Sequence, residues 1–79
     1  MIEIKWRKTG KDPNDLVAEY ENYTLRVERM NRWRYWWALY FNKQEVIMDD
    51  IGISGSSLKE AKKLAEVAFW THRIVFKSR

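Results

Sequence analysis

The side chains of this sequence that could do acid–base, nucleophilic or metal chemistry are few and badly spaced for it. His72 is the single histidine and there is no cysteine, so a zinc site of nitrogen and sulfur ligands is excluded in practice. His72 reads instead as a helix-end or partly buried polar residue. Asp49 and Asp50 are neighbours; on a strand they point to opposite sides and cannot share one reacting atom unless the strand ends there. Gly52-Ile-Ser-Gly-Ser-Ser57 precedes an expected helix, and a helix N-terminus can cradle a phosphate. It lacks the P-loop lysine placement and the Rossmann glycine spacing, and reads as a plain loop ending in a cap. No catalytic constellation remains, so the expectation is a protein that is not an enzyme and uses no cofactor or metal.

What remains is binding chemistry. "RWRYWWALYF", residues 32–41, puts six aromatic side chains into ten positions of a chain that is 33% charged. Rings interleaved with arginines can stack on bases or anchor a protein interface. Which of them serve the core depends on the elements that carry them.

At 79 residues the chain has room for a single domain, 1–79, burying roughly 60% of the surface its unfolded form exposes. With no cysteine to staple it, its stability must come from packing, and rings that each bury about 150–250 Å² are the obvious material. The start, Met-Ile-Glu-Ile-Lys-Trp, lacks the apolar run of a signal peptide or membrane span, which leads to the expectation of a cytoplasmic protein with no membrane partner. The net charge is +4, unevenly spread. Residues 1–34 carry eight basic and six acidic groups, 35–58 one and three, and 59–79 six and two. The surplus is C-terminal, on a chain whose charges are otherwise mixed as on a solvated surface.

The only proline, Pro13, marks a loop. Alternation predicts strands over approximately 2–7, 16–20, 23–30, 33–41 and 44–50, with turns at Glu21-Asn22, where Asn22 tolerates a left-handed conformation, and at Asn42-Lys43. Ser57-Leu-Lys-Glu60 is a capping box: the serine accepts from a backbone amide while the glutamate reaches back to an orphan donor. It opens a helix over approximately 57–73. Leu58, Ala61, Ala65, Ala68 and His72 share one face with Leu64 at its flank, while Lys59, Lys62, Lys63 and Glu66 look outward. The alanines let the helix lie close on a crowded aromatic surface. Ile74 to Phe76 fit either a helical extension or an edge strand. The fold class expected is α+β, a four- or five-stranded antiparallel meander with one C-terminal helix on one face.

One helix covers one face, so strand parity decides the fate of the rings. The odd set, Trp33, Tyr35, Trp37, Leu39 and Phe41, is the more apolar. A two-residue turn at Asn42-Lys43 sets Leu39 against Val46, Trp37 against Met48, Tyr40 against Glu45, Ala38 against Ile47 and Trp36 against Asp49. For Tyr23, Leu25 and Val27 to join the odd set, the preceding loop must be odd; three residues, Met30-Asn31-Arg32, with a bulge satisfy this and are favoured, whereas a two-residue Asn31-Arg32 loop would put Trp36 and Tyr40 beside Val27 and Tyr23. The outer face then shows Trp36 and Tyr40 among Thr24, Arg26, Glu28 and Arg34. Three fates are open to the two rings: cover by the N-terminal strand, the Pro13 loop or residues 74–76; packing against a second copy in a homodimer; or a heterologous partner.

"YTLRVERMNRWRYWWALYF", a short turn, a hydrophobic strand and "SLKEAKKLAEVAF" together resemble a broad class of small phage and prophage proteins. These have a tyrosine-containing strand, a tryptophan-rich strand and a terminal helix opened by Ser-Leu and rich in Ala-Lys. The resemblance spans most of residues 20–70 and implies a mobile-element setting. Proteins of that kind include anti-CRISPR and anti-restriction inhibitors and small DNA-binding accessory factors. Many such inhibitors imitate DNA with acidic surfaces; this chain is basic, which points away from mimicry. The implied function is a non-catalytic protein in the host cytoplasm that inhibits or modulates a nucleic-acid-handling defence complex by direct contact with a host protein or nucleoprotein. Trp36 and Tyr40 are its candidate anchors, Arg26 and Arg34 the rim, and Lys59, Lys62 and Lys63 an auxiliary basic patch. A sheet backed by one helix also resembles integrase arm-binding and ethylene-response-factor-type domains. That implies DNA or RNA contact by Arg26, Arg34, Trp36 and Tyr40, with lysines on phosphates. A structural homodimer is the third reading.

Overall fold

A computed structural model of the chain describes residues 3–10, 12–46 and 54–77. Its elements are β1 (Arg7–Lys8), β2 (Leu16–Tyr20), β3 (Tyr23–Asn31), β4 (Arg34–Phe41), β5 (Gln44–Val46), β6 (Ser54–Gly55) and α1 (Leu58–Lys77). Among the described residues, β1 to β5 form an antiparallel meander in chain order. β5 pairs with the C-terminal end of β4 and β6 with its N-terminal end. The α+β architecture expected from the sequence is present, with α1 packed on the odd face of β3 and β4.

The turns fix this parity. Asn42 and Lys43 both lie in the left-handed region, at φ 53° and 67°, as a two-residue turn matched to strand twist requires. Leu39 then faces Val46 and Tyr40 faces Glu45, as expected. The partners expected at Ile47, Met48 and Asp49 lie outside the described residues; opposite Trp36 the structure places Ser54 of β6. In the first hairpin the left-handed residue is Glu21, at φ 55°, rather than Asn22. Its carboxylate accepts from Arg73 Nη1 on the helix at 3.5 Å.

Between β3 and β4 the odd parity holds, since Leu25 faces Leu39 and Val27 faces Trp37. It is reached differently from the expected three-residue loop. The register shifts between Arg29 and Asn31, leaving Met30 as the extra residue, and Asn31 faces Arg34 across a two-residue Arg32-Trp33 turn. The Asn31 side-chain oxygen accepts from the Trp33 backbone amide at 2.8 Å, a local bond that closes the turn. Trp33 therefore leaves the core set to which its parity assigned it and is 74% exposed.

The core lies between sheet and helix. Ala18, Tyr23, Leu25, Val27, Trp37 and Leu39 meet Ala61, Ala65, Ala68 and Phe69. The three alanines are fully buried, so the helix backbone does lie close on the aromatic strands. Phe69, absent from the expected face, is the largest fully buried side chain. Its ring meets Tyr20 and Tyr23 edge-on, at centroid distances of 5.9 and 4.8 Å.

The helix begins one residue after the predicted start. Ser57 Oγ accepts from the Glu60 amide at 3.1 Å, as in a capping box. The reciprocal bond is replaced, because Glu60 Oε2 accepts from Ser56 Oγ at 2.7 Å. The helix also runs past residue 73 through Ile74, Val75 and Phe76. Phe76 stacks on His72 one turn back and tilts against Phe41, with centroids 5.8 and 5.1 Å away, a tertiary contact that rewards continuing the helix.

The N-terminal strand is shorter than the predicted 2–7. Among the described residues, Arg7 and Lys8 alone of this segment pair with β2, opposite Val17 and Leu16. Ile4 and Trp6 still alternate inward with exposed Glu3 and Lys5, but they pack on the core rather than extend the sheet. Trp6 Nε1 donates to Glu66 Oε2 of the helix at 3.2 Å, and the Lys62 ammonium stands 5.9 Å from the Trp6 ring. Lys62 and Glu66, expected to look outward, are consequently half-buried.

Candidate binding surface on the open sheet face

The helix takes the odd side chains of β4, and the even ones form the opposite face of the sheet. Cross-strand register lays that face out in rows. Glu19, Thr24, Tyr40 and Glu45 make one row, Arg7, Val17, Arg26 and Ala38 the next, and Glu28, Trp36 and Ser54 the third. Trp36 and Tyr40 share this face with buried Ala38 between them, four residues apart and so about 13 Å along the strand.

Both rings are half-buried, as are Arg26 and Glu28. Ile4 and Trp6 of the N-terminal segment are on the helix side, where Trp6 meets Glu66. The Pro13 loop is there too: Asn14 Oδ1 accepts from the hydroxyl of Tyr35, an odd-face residue, at 3.5 Å. Residues 74–76 belong to the helix. None of the described segments proposed as covers lies over Trp36 and Tyr40.

Among the described residues the charges on this face balance. Arg26 Nη2 meets Glu28 Oε1 at 3.0 Å and Arg7 Nη2 meets Glu19 Oε1 at 3.5 Å. Arg34 and Glu45 add one of each sign. With side chains between about two-fifths and three-fifths accessible, each pair contributes about 0–1 kcal/mol to stability at most, yet they matter for recognition, because an arginine already facing a carboxylate is a weakened phosphate ligand. Arg34 is exposed at the end of β4, lining a small hollow with Trp33, Ser54, Ser56 and Glu60.

The expected site residues thus divide. Trp36, Tyr40 and Arg26 are brought together on the open face, with Arg34 at its margin. Lys59, Lys62 and Lys63 stand on the helix, on the other side of the sheet, so they form no continuous surface with the rings. On that side the structure also exposes Val67 and Trp70, which the sequence reading passed over. The signal was present: Lys63, Val67 and Trp70 recur at helical spacing opposite the alanine face.

His72 is half-buried among Tyr23, Phe41 and Phe76. Its Nδ1 is 2.8 Å from the Tyr23 hydroxyl. Burial raises the Tyr23 pKa above the ordinary value of 10.0; nearby Arg73 opposes this and Glu21 adds to it. The hydrogen bond between the Tyr23 hydroxyl and His72 Nδ1, whose direction follows the imidazole tautomer, joins helix to sheet. Among the described residues no group of three or more His, Cys, Asp and Glu side chains is placed to hold a metal ion, and no helix is long and apolar enough to cross a membrane. Comparison with protein-family models, with curated proteins and with solved structures finds no match.

Proposed function

We propose that this chain is a non-catalytic, phage-type binding protein that inhibits or modulates a host nucleic-acid-handling defence complex by docking on one of its protein components. The docking surface is the open sheet face, with Trp36 and Tyr40 as anchors and Arg26 and Arg34 at the rim. The observation that carries this reading is the charge balance around the two rings. Half-buried aromatics set among paired Arg26–Glu28 and Arg7–Glu19 charges suit a protein interface, where rings anchor and a polar rim excludes water. A sheet that enters the major groove needs unpaired basic groups facing phosphates. The phage setting is supported by the sequence resemblance alone.

The test is biological and then physical. Expressed in bacteria carrying defined CRISPR or restriction systems, the chain should restore plating of a targeted phage in at least one host, and Trp36→Ala/Tyr40→Ala should abolish that rescue while remaining folded. No rescue in any host, or rescue undiminished by the double substitution, overturns the reading. Binding to purified DNA that weakens linearly with log salt and is lost with Arg26→Ala/Arg34→Ala would replace it with the DNA-binding reading. A dimer in sedimentation that the double substitution dissociates would replace it with the homodimer.

A further inference from the structure

The helix presents a second apolar feature on the side away from the sheet. Val67 is 42% and Trp70 38% exposed, although the opposite helix face is already filled by Ala61, Ala65, Ala68 and Phe69. The Trp70 ring stands edge-on to buried Phe69, with centroids 5.3 Å apart. Leu58, Val67 and Trp70 line a groove of about 540 Å³ together with Lys59, Lys62, Lys63 and Glu66. That volume falls within the roughly 300–1,000 Å³ of ordinary ligand sites.

Three of the four charged groups around this groove are ammonium ions. The one carboxylate, Glu66, already accepts from the Trp6 indole, and Lys62 leans toward the Trp6 ring. Lys59 and Lys63 are exposed, their aliphatic stems available to extend the apolar lining while their charged ends reach solvent. The groove is thus complementary to a ligand that brings negative charge above apolar bulk.

We propose that this groove binds an acidic polypeptide segment carrying one or two large apolar side chains. The apolar chains pack on Val67 and Trp70, and the carboxylates meet Lys59 and Lys63. A nucleic acid backbone would satisfy the lysines but leave Leu58 and Val67 uncovered, with Trp70 as the one ring of the groove to stack on. The inference is independent of the sheet-face reading, because the groove lies on the opposite side of the sheet.

The full chain is panned against a displayed library of short random peptides, and a labelled peptide of the selected consensus is titrated by fluorescence anisotropy. The expected consensus combines Asp or Glu with Leu, Phe or Trp. Its affinity should fall about tenfold or more, ~1.4 kcal/mol, in Lys59→Glu/Lys63→Glu and in Val67→Asp, and should be unchanged in Trp36→Ala/Tyr40→Ala. Thermal melts check that the variants fold, and Lys59→Gln/Lys63→Gln, which removes charge without reversing it, should give a smaller loss in the same direction. A consensus without acidic residues overturns the proposal, as does an affinity indifferent to the lysine changes. Tighter binding to a single-stranded oligonucleotide or to phosphatidylserine vesicles than to the selected peptide does so too.

Discussion

The hydroxyl of Tyr23 and the Nδ1 of His72 are 2.8 Å apart although 49 positions separate them in sequence. Tyr23 opens β3 and His72 lies in the last turns of α1, so the bond fixes the far end of the helix to the sheet. Tyr23→Phe keeps the ring contacts with Phe41 and Phe69 and removes this one bond, so unfolding free energy should fall by about 0.5–1.5 kcal/mol in urea denaturation.

The same tyrosine predicts an alkaline limit. Burial raises its folded-state pKa, so above the unfolded value of about 10 the folded chain binds more protons than the unfolded one, and stability falls as pH rises. The contribution is fully present below that value and is lost through the folded pKa. Urea midpoints measured from neutral to strongly alkaline pH should decline above about pH 10, and Tyr23→Phe should flatten the decline. An equal slope in both proteins would remove Tyr23 as its cause.

Lys43 sits at φ 67°, a conformation that costs an L-residue roughly 1–2 kcal/mol and glycine little. Lys43→Gly should stabilise the domain by about 0.5–1 kcal/mol once the greater flexibility of unfolded glycine is subtracted. Glu21→Gly, at φ 55°, should gain less, because it deletes the acceptor of Arg73.

Gly55 is buried where β6 meets the helix. A Cβ there would lie 3.0 Å from the Ala61 backbone nitrogen and 3.3 Å from Glu60 Cγ. Since the nearer atom is backbone, Gly55→Ala must displace the first turn of the helix and should destabilise by about 1–3 kcal/mol, the range of overpacked sites. Thermal denaturation reads it directly, and a variant as stable as the parent would mean that β6 moves freely.

Truncation on the two sides of the sheet should differ in cost. Phe69→Ala empties the core and should cost about 3–5 kcal/mol. Trp36→Ala and Tyr40→Ala remove half-buried rings whose cross-strand neighbours are Glu28, Ser54, Thr24 and Glu45, worth about 0.2–1 kcal/mol per pair. A double variant that unfolds at room temperature would show that these rings hold the fold.

Local chemistry made much of this legible in advance. The Asn42-Lys43 turn, the serine cap, the alanine face of the helix and the alternation of β3 and β4 are each dictated by a few consecutive residues, and together they determine the fold class and the parity that sends Trp36 and Tyr40 outward. Other features depend on residues distant in the chain. Trp33 leaves the core because a bulge at Met30 moves the turn to Arg32-Trp33, and periodicity is blind to one inserted residue. Trp6 packs under the helix, where its indole donates to Glu66, sixty positions away, a partner its own neighbours do not reveal. Helix or strand was undecidable for Ile74 to Phe76 from their own side chains, and the rings of His72 and Phe41 settled it. Charge follows the same division: the sequence determines that the chain is basic, but only the tertiary structure pairs Arg26 with Glu28 on one face and leaves Lys59 and Lys63 beside Val67 and Trp70 on the other, because which charges become neighbours is a property of packing.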